Sequence, residues 1–169
     1  MQTARRCQLE KSVSTTSPDW RFVFSSPAHW LAFGFGSGLA PVAPGTFGTL
    51  AAFPLYWLLS GIHGWAYLVI VAFFFVAGIG FCDTAGKALG VVDHGGIVWD
   101  EIVAMLLVLH FAPRSLIGFV AAFLLFRLFD IWKPFPIGWC DQRLKNGFGV
   151  MFDDLLAAIY AVICIRLIF

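Results

Sequence analysis

GWAYLVIVAFFFVAGIGFC, residues 64–82, runs for 19 residues without a single formal charge. Wound as an α-helix at 1.5 Å per residue it reaches about 28 Å, close to the hydrocarbon thickness of a bilayer. The same character continues outward: from Phe22 to Cys82, 61 residues, there is no Asp, Glu, Lys or Arg. Across the 169 residues 60% are apolar and 12% charged, with a mean hydropathy of +0.84. An ordinary soluble domain carries about 25% charged residues, so this chain lacks the polar surface to cover a water-soluble globule of its size. Disordered tail, coiled coil and disulfide scaffold are excluded by the same composition. A net charge of +1 gives no reason to expect a nucleic-acid partner, and no protein partner is evident.

Further spans follow on either side. Residues 47–62 form a second uncharged stretch, joined to the first by the tight Gly61-Ile-His-Gly64 hairpin. Residues 97–112, 115–129 and 150–169 are apolar with ionisable ends, and Pro113-Arg114 turns the chain between the first two. Residues 130–149, with Pro134, Pro136, Gly138, Gly147 and Gly149, read as a structured loop. Residues 28–44 are apolar but broken by Gly34, Gly36, Gly38, Pro41 and Pro44. Such a piece is tolerated at membrane depth only where protein or a wet cavity covers its backbone. The expected fold is therefore all-α, a polytopic membrane helical bundle of about four to five spans. It carries a Gly/Pro-rich re-entrant or interfacial N-terminal segment. Residues 1–26 read as a polar tail without the apolar core of a secretory signal, and residues 27–169 as one membrane-embedded domain.

Five spans put the entry to the first, the 83–97 loop and the 130–149 loop on one side. That side receives Arg5, Arg6, Lys11, Arg21, Lys87, Arg127, Lys133, Arg143 and Lys145, and the other only Arg114 and Arg166. By the positive-inside rule the crowded face is cytoplasmic.

Every acidic residue falls on that face too. Asp83 ends one span, Asp100-Glu101 open the next, Asp130 closes the fourth, Asp141 sits in the loop, and Asp153-Asp154 open the last. Each acidic pair can present both carboxylates to one side of its helix, because neighbours are about 100° apart. Asp100, Glu101, Asp130, Asp153 and Asp154, drawn from three segments, would repel one another. A divalent cation relieves that, and oxygen-only ligands suit a hard ion such as Mg²⁺. The alternative is a set of interfacial charges marking where helices leave the lipid. Arg127, Asp130 and Lys133 recur every three residues, as a phosphate clamp or as a self-neutralising salt-bridge ladder. The Gly34–Thr49 stretch offers glycine amides and, at Thr46 or Thr49, a helix cap to an anion; glycines at this density also serve close helix packing. It is neither a P-loop nor a dinucleotide fingerprint. The four cysteines show no CxxC spacing, and His94 is the one histidine near the acidic segments.

Four motifs together carry a family resemblance. FGSGLAPVAPGTFGTL at 35–50, DHGGIVWDE at 93–101, FRLFDIWKPFPIGWCDQR at 126–143 and GFGVMFDDLLA at 147–157 resemble phosphatidylglycerophosphatase A, in order from about residue 27 to residue 165. The resemblance implies a Mg²⁺-dependent phosphatase of the bacterial inner membrane, active at the cytoplasmic face, converting phosphatidylglycerophosphate to phosphatidylglycerol. Residues 27–169 would then be the phosphatase domain. Its acidic motif positions fall on Asp100, Glu101, Asp130, Asp141, Asp153 and Asp154, with Lys133 in the same block. Its glycine-rich motif carries Ser37, Pro41, Pro44, Gly45, Thr46, Gly48 and Thr49. Ala104, Ala158 and Gln142 depart from the family pattern; the alanines alter packing more than chemistry, and Gln142 leaves Arg143 as the expected phosphate contact of its loop.

The expected catalytic set is thus Asp100, Glu101, Asp130, Lys133, Asp141, Asp153 and Asp154. Arg127, Lys133, Arg143, Ser37, Gly45, Thr46, Gly48 and Thr49 would bind the substrate phosphate. The DxDx(T/V) pattern of aspartyl-phosphate enzymes is missing, which favours attack by water. A small transporter or channel using the carboxylate cluster is the rival reading. A CDP-alcohol phosphotransferase is disfavoured, since its DG…AR…G…D…D pattern is not present.

Overall fold

A computed structural model describes residues 18–169. Most of the expected polar tail, residues 1–17, lies outside the described residues. The described chain is all-α. Two short helices, α1 (Trp20–Phe24) and α2 (Pro27–Ala32), lead into a 3-10 segment (Gly34–Leu39). Then come α3 (Pro44–Leu59), α4 (Trp65–Leu89), α5 (Trp99–Phe111), α6 (Leu116–Trp132), α7 (Ile137–Arg143) and α8 (Gly147–Ile168).

The packed body begins earlier than the sequence boundary at residue 27. Asp19 caps α1 by accepting from the Phe22 N–H at 2.8 Å, and Val23 is fully buried. The helix from residue 65 runs to Leu89 rather than stopping at Cys82. Asp83 and Lys87, four residues apart and paired at 2.6 Å, lie along its flank and carry it past the charge that looked like an exit from lipid. It stops at Gly90, whose φ of 71° is the left-handed conformation that closes a helix, with the Val91 N–H reaching back to the Gly86 carbonyl. Residues 130–149 are not only loop. They hold α7, which buries Ile137 and Cys140.

At the centre stands α5, packed on α3, α4, α6 and α8. Ile102, Met105, Leu106, Val108 and Leu109 are fully buried, so the helix is apolar all round because it is surrounded. With 13 residues it reaches about 20 Å, too short to cross a bilayer alone. Among the described residues two helices, α4 (25 residues) and α8 (22 residues), are long and apolar enough to cross a membrane. The outward faces of α4 and α6 are also apolar, with Val69, Phe73, Leu116, Ile117, Leu124 and Ile131 exposed.

The glycine-rich stretch serves mainly as packing. A Cβ on Gly48 would stand 2.5 Å from Val98 Cβ, and one on Gly38 would overlap the Gly96 carbonyl oxygen. These glycines let α3 and the 3-10 segment approach the residues that lead into α5. At Gly48 the Val98 side chain, and at Gly38 the Gly96 backbone, take the space a side chain would need.

Candidate active site

The starts of three helices and the end of a fourth meet around a cavity of about 410 Å³. From α5 come Asp100 and Glu101, in its first turn, where the helix dipole favours negative charge. From α8 come Asp153 and Asp154, and from α6 come Arg127 and Asp130 with Lys133 just beyond. Ala43, Pro44 and Gly45 close the cavity with the N-terminus of α3. The residues are scattered over some 110 positions of sequence and share one pocket because α5 is threaded through the middle of the bundle.

Asp100, Glu101 and Asp154 each offer a carboxylate oxygen within 4.8 Å of the other two. Asp100 and Asp154 are buried, and Asp100 Oδ1, Glu101 Oε2 and Asp154 Oδ2 have no hydrogen-bond partner. An unpaired buried carboxylate is costly, and three so close together are more so. These oxygens fit a metal ion: the donors are hard, anionic, convergent and otherwise unsatisfied. Asp130 and Asp153, expected in the same set, are instead held by cations.

Arg127 Nη1 pairs with Asp130 at 2.6 Å and stands 3.7 Å from Glu101, and it also reaches Thr49 Oγ1 at 3.5 Å. Its Nε is buried without a partner. Lys133 does not continue the three-residue ladder. It caps α6 in the left-handed conformation, with φ of 45°, which swings its side chain off the helix to Asp153 (2.6 Å) and Asp141 (2.9 Å). Burial by itself would lower the Lys133 pKa, but its bonds to Asp153 and then Asp141 outweigh this and the net shift is upward. Lys133 is therefore a fixed positive charge at the cavity wall.

The other expected residues are placed differently. Gly45 belongs to the site: a Cβ there would collide with the Glu101 carboxylate and press on Arg127. Ala43, with φ of 50°, precedes α3 and no side chain caps the helix, so neither Thr46 nor Thr49 serves as the cap. Thr49 is fully buried and donates to the Gly45 carbonyl at 2.8 Å, touching the site only through Arg127. Ser37 bonds the Gly34 carbonyl at 2.8 Å within its own turn, and Gly48 is packed on Val98. Ser37, Thr46, Gly48 and Thr49 are not among the residues that line the cavity. Asp141 does not line the cavity but pairs with Lys133, which does. Arg143 is exposed and lies 5.0 Å over the Trp139 ring, away from the cavity. That stacking answers the same planar cation that suggested a phosphate clamp.

Several residues of the cavity were not singled out from the sequence, among them one acid. Asp93 and Gly95 line it from the loop before α5, whereas His94, singled out from the sequence, accepts the Gly96 N–H at 3.0 Å inside that loop. The available signal was an acid in a glycine-bounded turn seven residues before Asp100.

The family model for phosphatidylglycerophosphatase A matches residues 30–169. Phosphatidylglycerophosphatase A of Escherichia coli K12 is 43% identical over 140 residues, covering 82% of this chain and 81% of the relative. The protein of that name from Haemophilus influenzae is 50% identical over 142 residues, covering 83% and 87%. A Bacteroides thetaiotaomicron protein, provisionally named as a phosphatidylinositol-3-phosphatase, is 39% identical over 140 residues, covering 78% and 87%. No solved structure matches the chain. With a family match over nearly all the described residues and close relatives at this identity, the chain belongs to the phosphatidylglycerophosphatase A family.

Proposed function

We propose that this chain hydrolyses the terminal phosphate of phosphatidylglycerophosphate, giving phosphatidylglycerol and phosphate, with Mg²⁺ held by Asp100, Glu101 and Asp154. The observation that carries the reading is the trio of buried, unpartnered carboxylate oxygens beside two cations in a cavity at one end of an apolar bundle. When bound, the ion supplies Lewis-acid stabilisation of charge on the phosphoryl oxygens. Arg127 and Lys133 line the same cavity and neutralise the charge that develops as the phosphoryl group transfers. Asp130, Asp141 and Asp153 hold those two cations in place. Water adds its oxygen to phosphorus as the ester P–O bond breaks. One water proton passes to a cavity carboxylate, and the glycerol oxygen leaves as an alcohol after gaining a proton. Trapping a hydroxylamine-sensitive phosphoenzyme from labelled substrate would replace this water attack with an aspartyl phosphate.

The bundle lies in the bacterial inner membrane, with α4 and α8 crossing it and α3, α6 and the shorter α5 bringing the membrane-embedded segments to five. The cavity faces the cytoplasm, on the side that collects six of the eight basic residues among the described residues.

Phosphate release in detergent tests the reading, with phosphatidylglycerophosphate and phosphatidylinositol 3-phosphate as parallel substrates. Release from the first that stops in EDTA and returns with Mg²⁺ is expected. Equal release in EDTA removes the metal from the mechanism, and faster release from the inositol lipid changes the substrate. The same assay separates the two arginines. Arg127→Ala is expected to lower kcat/KM by about 10²-fold, as loss of a charge-stabilising group does. Arg143→Ala, on the surface, is expected to stay within about twofold of wild type.

A further inference from the structure

Beside the polar cavity lies a second one of about 340 Å³, almost entirely apolar, between α4, α5 and α8. Its walls include Leu68, Ala72 and Phe75 of α4, Val103 and Leu107 of α5, and Leu155 of α8. The spacing is helical on each side, so one face of each helix is turned to the groove. The α4 and α5 walls are pinned at both levels: Trp99 Nε1 donates to the Phe74 carbonyl at 3.1 Å, and Tyr67 Oη donates to the Leu106 carbonyl at 2.9 Å. From residue 100 to Leu107 along α5 is about 10 Å. One residue lines both cavities, and it is Asp100.

We infer that this groove seats an acyl chain of the lipid whose phosphate enters the polar cavity. The inference rests on the lipid-phosphatase reading and adds a subsite to it. A molecule touching both sides of Asp100 must carry anionic oxygens at one end, to meet Arg127, Lys133 and a bound cation. At the other end it must carry hydrocarbon, because the groove offers no polar partner beyond Asp100. A diacyl phospholipid has that polarity order in one molecule. In a bilayer the chain gains little by leaving other lipid for an apolar wall, since the two are equally apolar. The groove therefore acts by position: chain contacts remote from phosphorus hold the phosphate in register with the cavity, and that shows in turnover as well as binding.

Ala72 is the residue with which to test this, being exposed at the groove and outside the polar cavity. Ala72→Trp adds a bulky side chain at the wall of the groove. On long-chain phosphatidylglycerophosphate kcat/KM is expected to fall about tenfold, the cost of a small misplacement. On the chain-free headgroup, glycerophosphoglycerophosphate, it is expected not to change. Equal losses on both substrates, or no loss on either, overturn the subsite. A second readout needs no turnover: a lipid analogue with a diazirine near the end of its acyl chain is expected to label Leu68 or Leu155. Label confined to the outer face of α4, at Val69 and Phe73, overturns the inference even if phosphate is released. Label in the groove from a protein that releases no phosphate sinks the phosphatase reading and leaves the lipid subsite standing.

Discussion

Asp154→Asn is expected to reduce phosphate release by about 10²–10³-fold while leaving the protein at least as stable as wild type in a chelating buffer. The two effects have opposite signs because they come from the same charge. Asp154 is buried, its Oδ2 has no partner, and it stands within 4.8 Å of carboxylate oxygens of Asp100 and Glu101. Without a cation the three charges repel, and the isosteric amide removes one of them. With Mg²⁺ the order reverses. A ligand at 100 times its Kd adds about 2.7 kcal/mol to the folded state, so the wild-type melting temperature in detergent rises with Mg²⁺. The variant, with one ligand weakened, rises less. A variant that melts lower in EDTA yet keeps the full Mg²⁺ response would show that Asp154 is a structural acid and no ligand. Asp100→Asn is expected to behave alike.

Lys133→Met is expected to cost both stability and turnover, in amounts that a second substitution can separate. Lys133 bridges Asp153 and Asp141, and the Asp153 side chain is only 6% exposed. Breaking such a pair leaves a buried carboxylate unpaired, a loss of about 3–5 kcal/mol. The lower end applies here, because the Lys133 side chain keeps 27% of its exposure and its charge is partly screened. Turnover is expected to fall about 10²-fold with the loss of a cation at the cavity wall. Adding Asp153→Asn should return most of the stability, since it removes the stranded charge, but none of the activity. Recovery of both would make the ion pair a scaffold. The folded pKa of Lys133 is raised, so its contribution is complete below the ordinary lysine value and fades only as pH climbs through the raised one. The stability gap due to Lys133 therefore does not close through lysine titration near neutral pH.

Much of the site was legible because its signals are local. An acidic doublet next to an apolar run, as at Asp100-Glu101 or Asp153-Asp154, is conspicuous wherever charge is scarce. Gly45 was recognisable as a residue of a glycine-rich turn entering a helix. Gly48 and Gly38 carried the same local signature but stand in close contact with Val98 and Gly96, which lie 50 or more residues away in the chain. Arg143, expected at the phosphate, lies over the Trp139 ring and outside the lining of the cavity, a placement its sequence neighbourhood does not reveal. Lys133 was identified, but the left-handed cap that turns it toward Asp141 and Asp153 cannot be read from three-residue spacing.

The sequence by itself determined that this chain is helical and apolar, where its helices break, and that its acids and bases gather towards one end. Those properties follow from unbroken apolar runs, caps and breakers acting within a few residues. Only the tertiary structure decided which three carboxylates converge with an oxygen of each left unpartnered, which are held closely by Arg127 and Lys133, and that an apolar groove opens at Asp100. Those outcomes depend on how α5 is enclosed by α3, α4, α6 and α8, and a distance across helices has no counterpart in the spacing along any one of them.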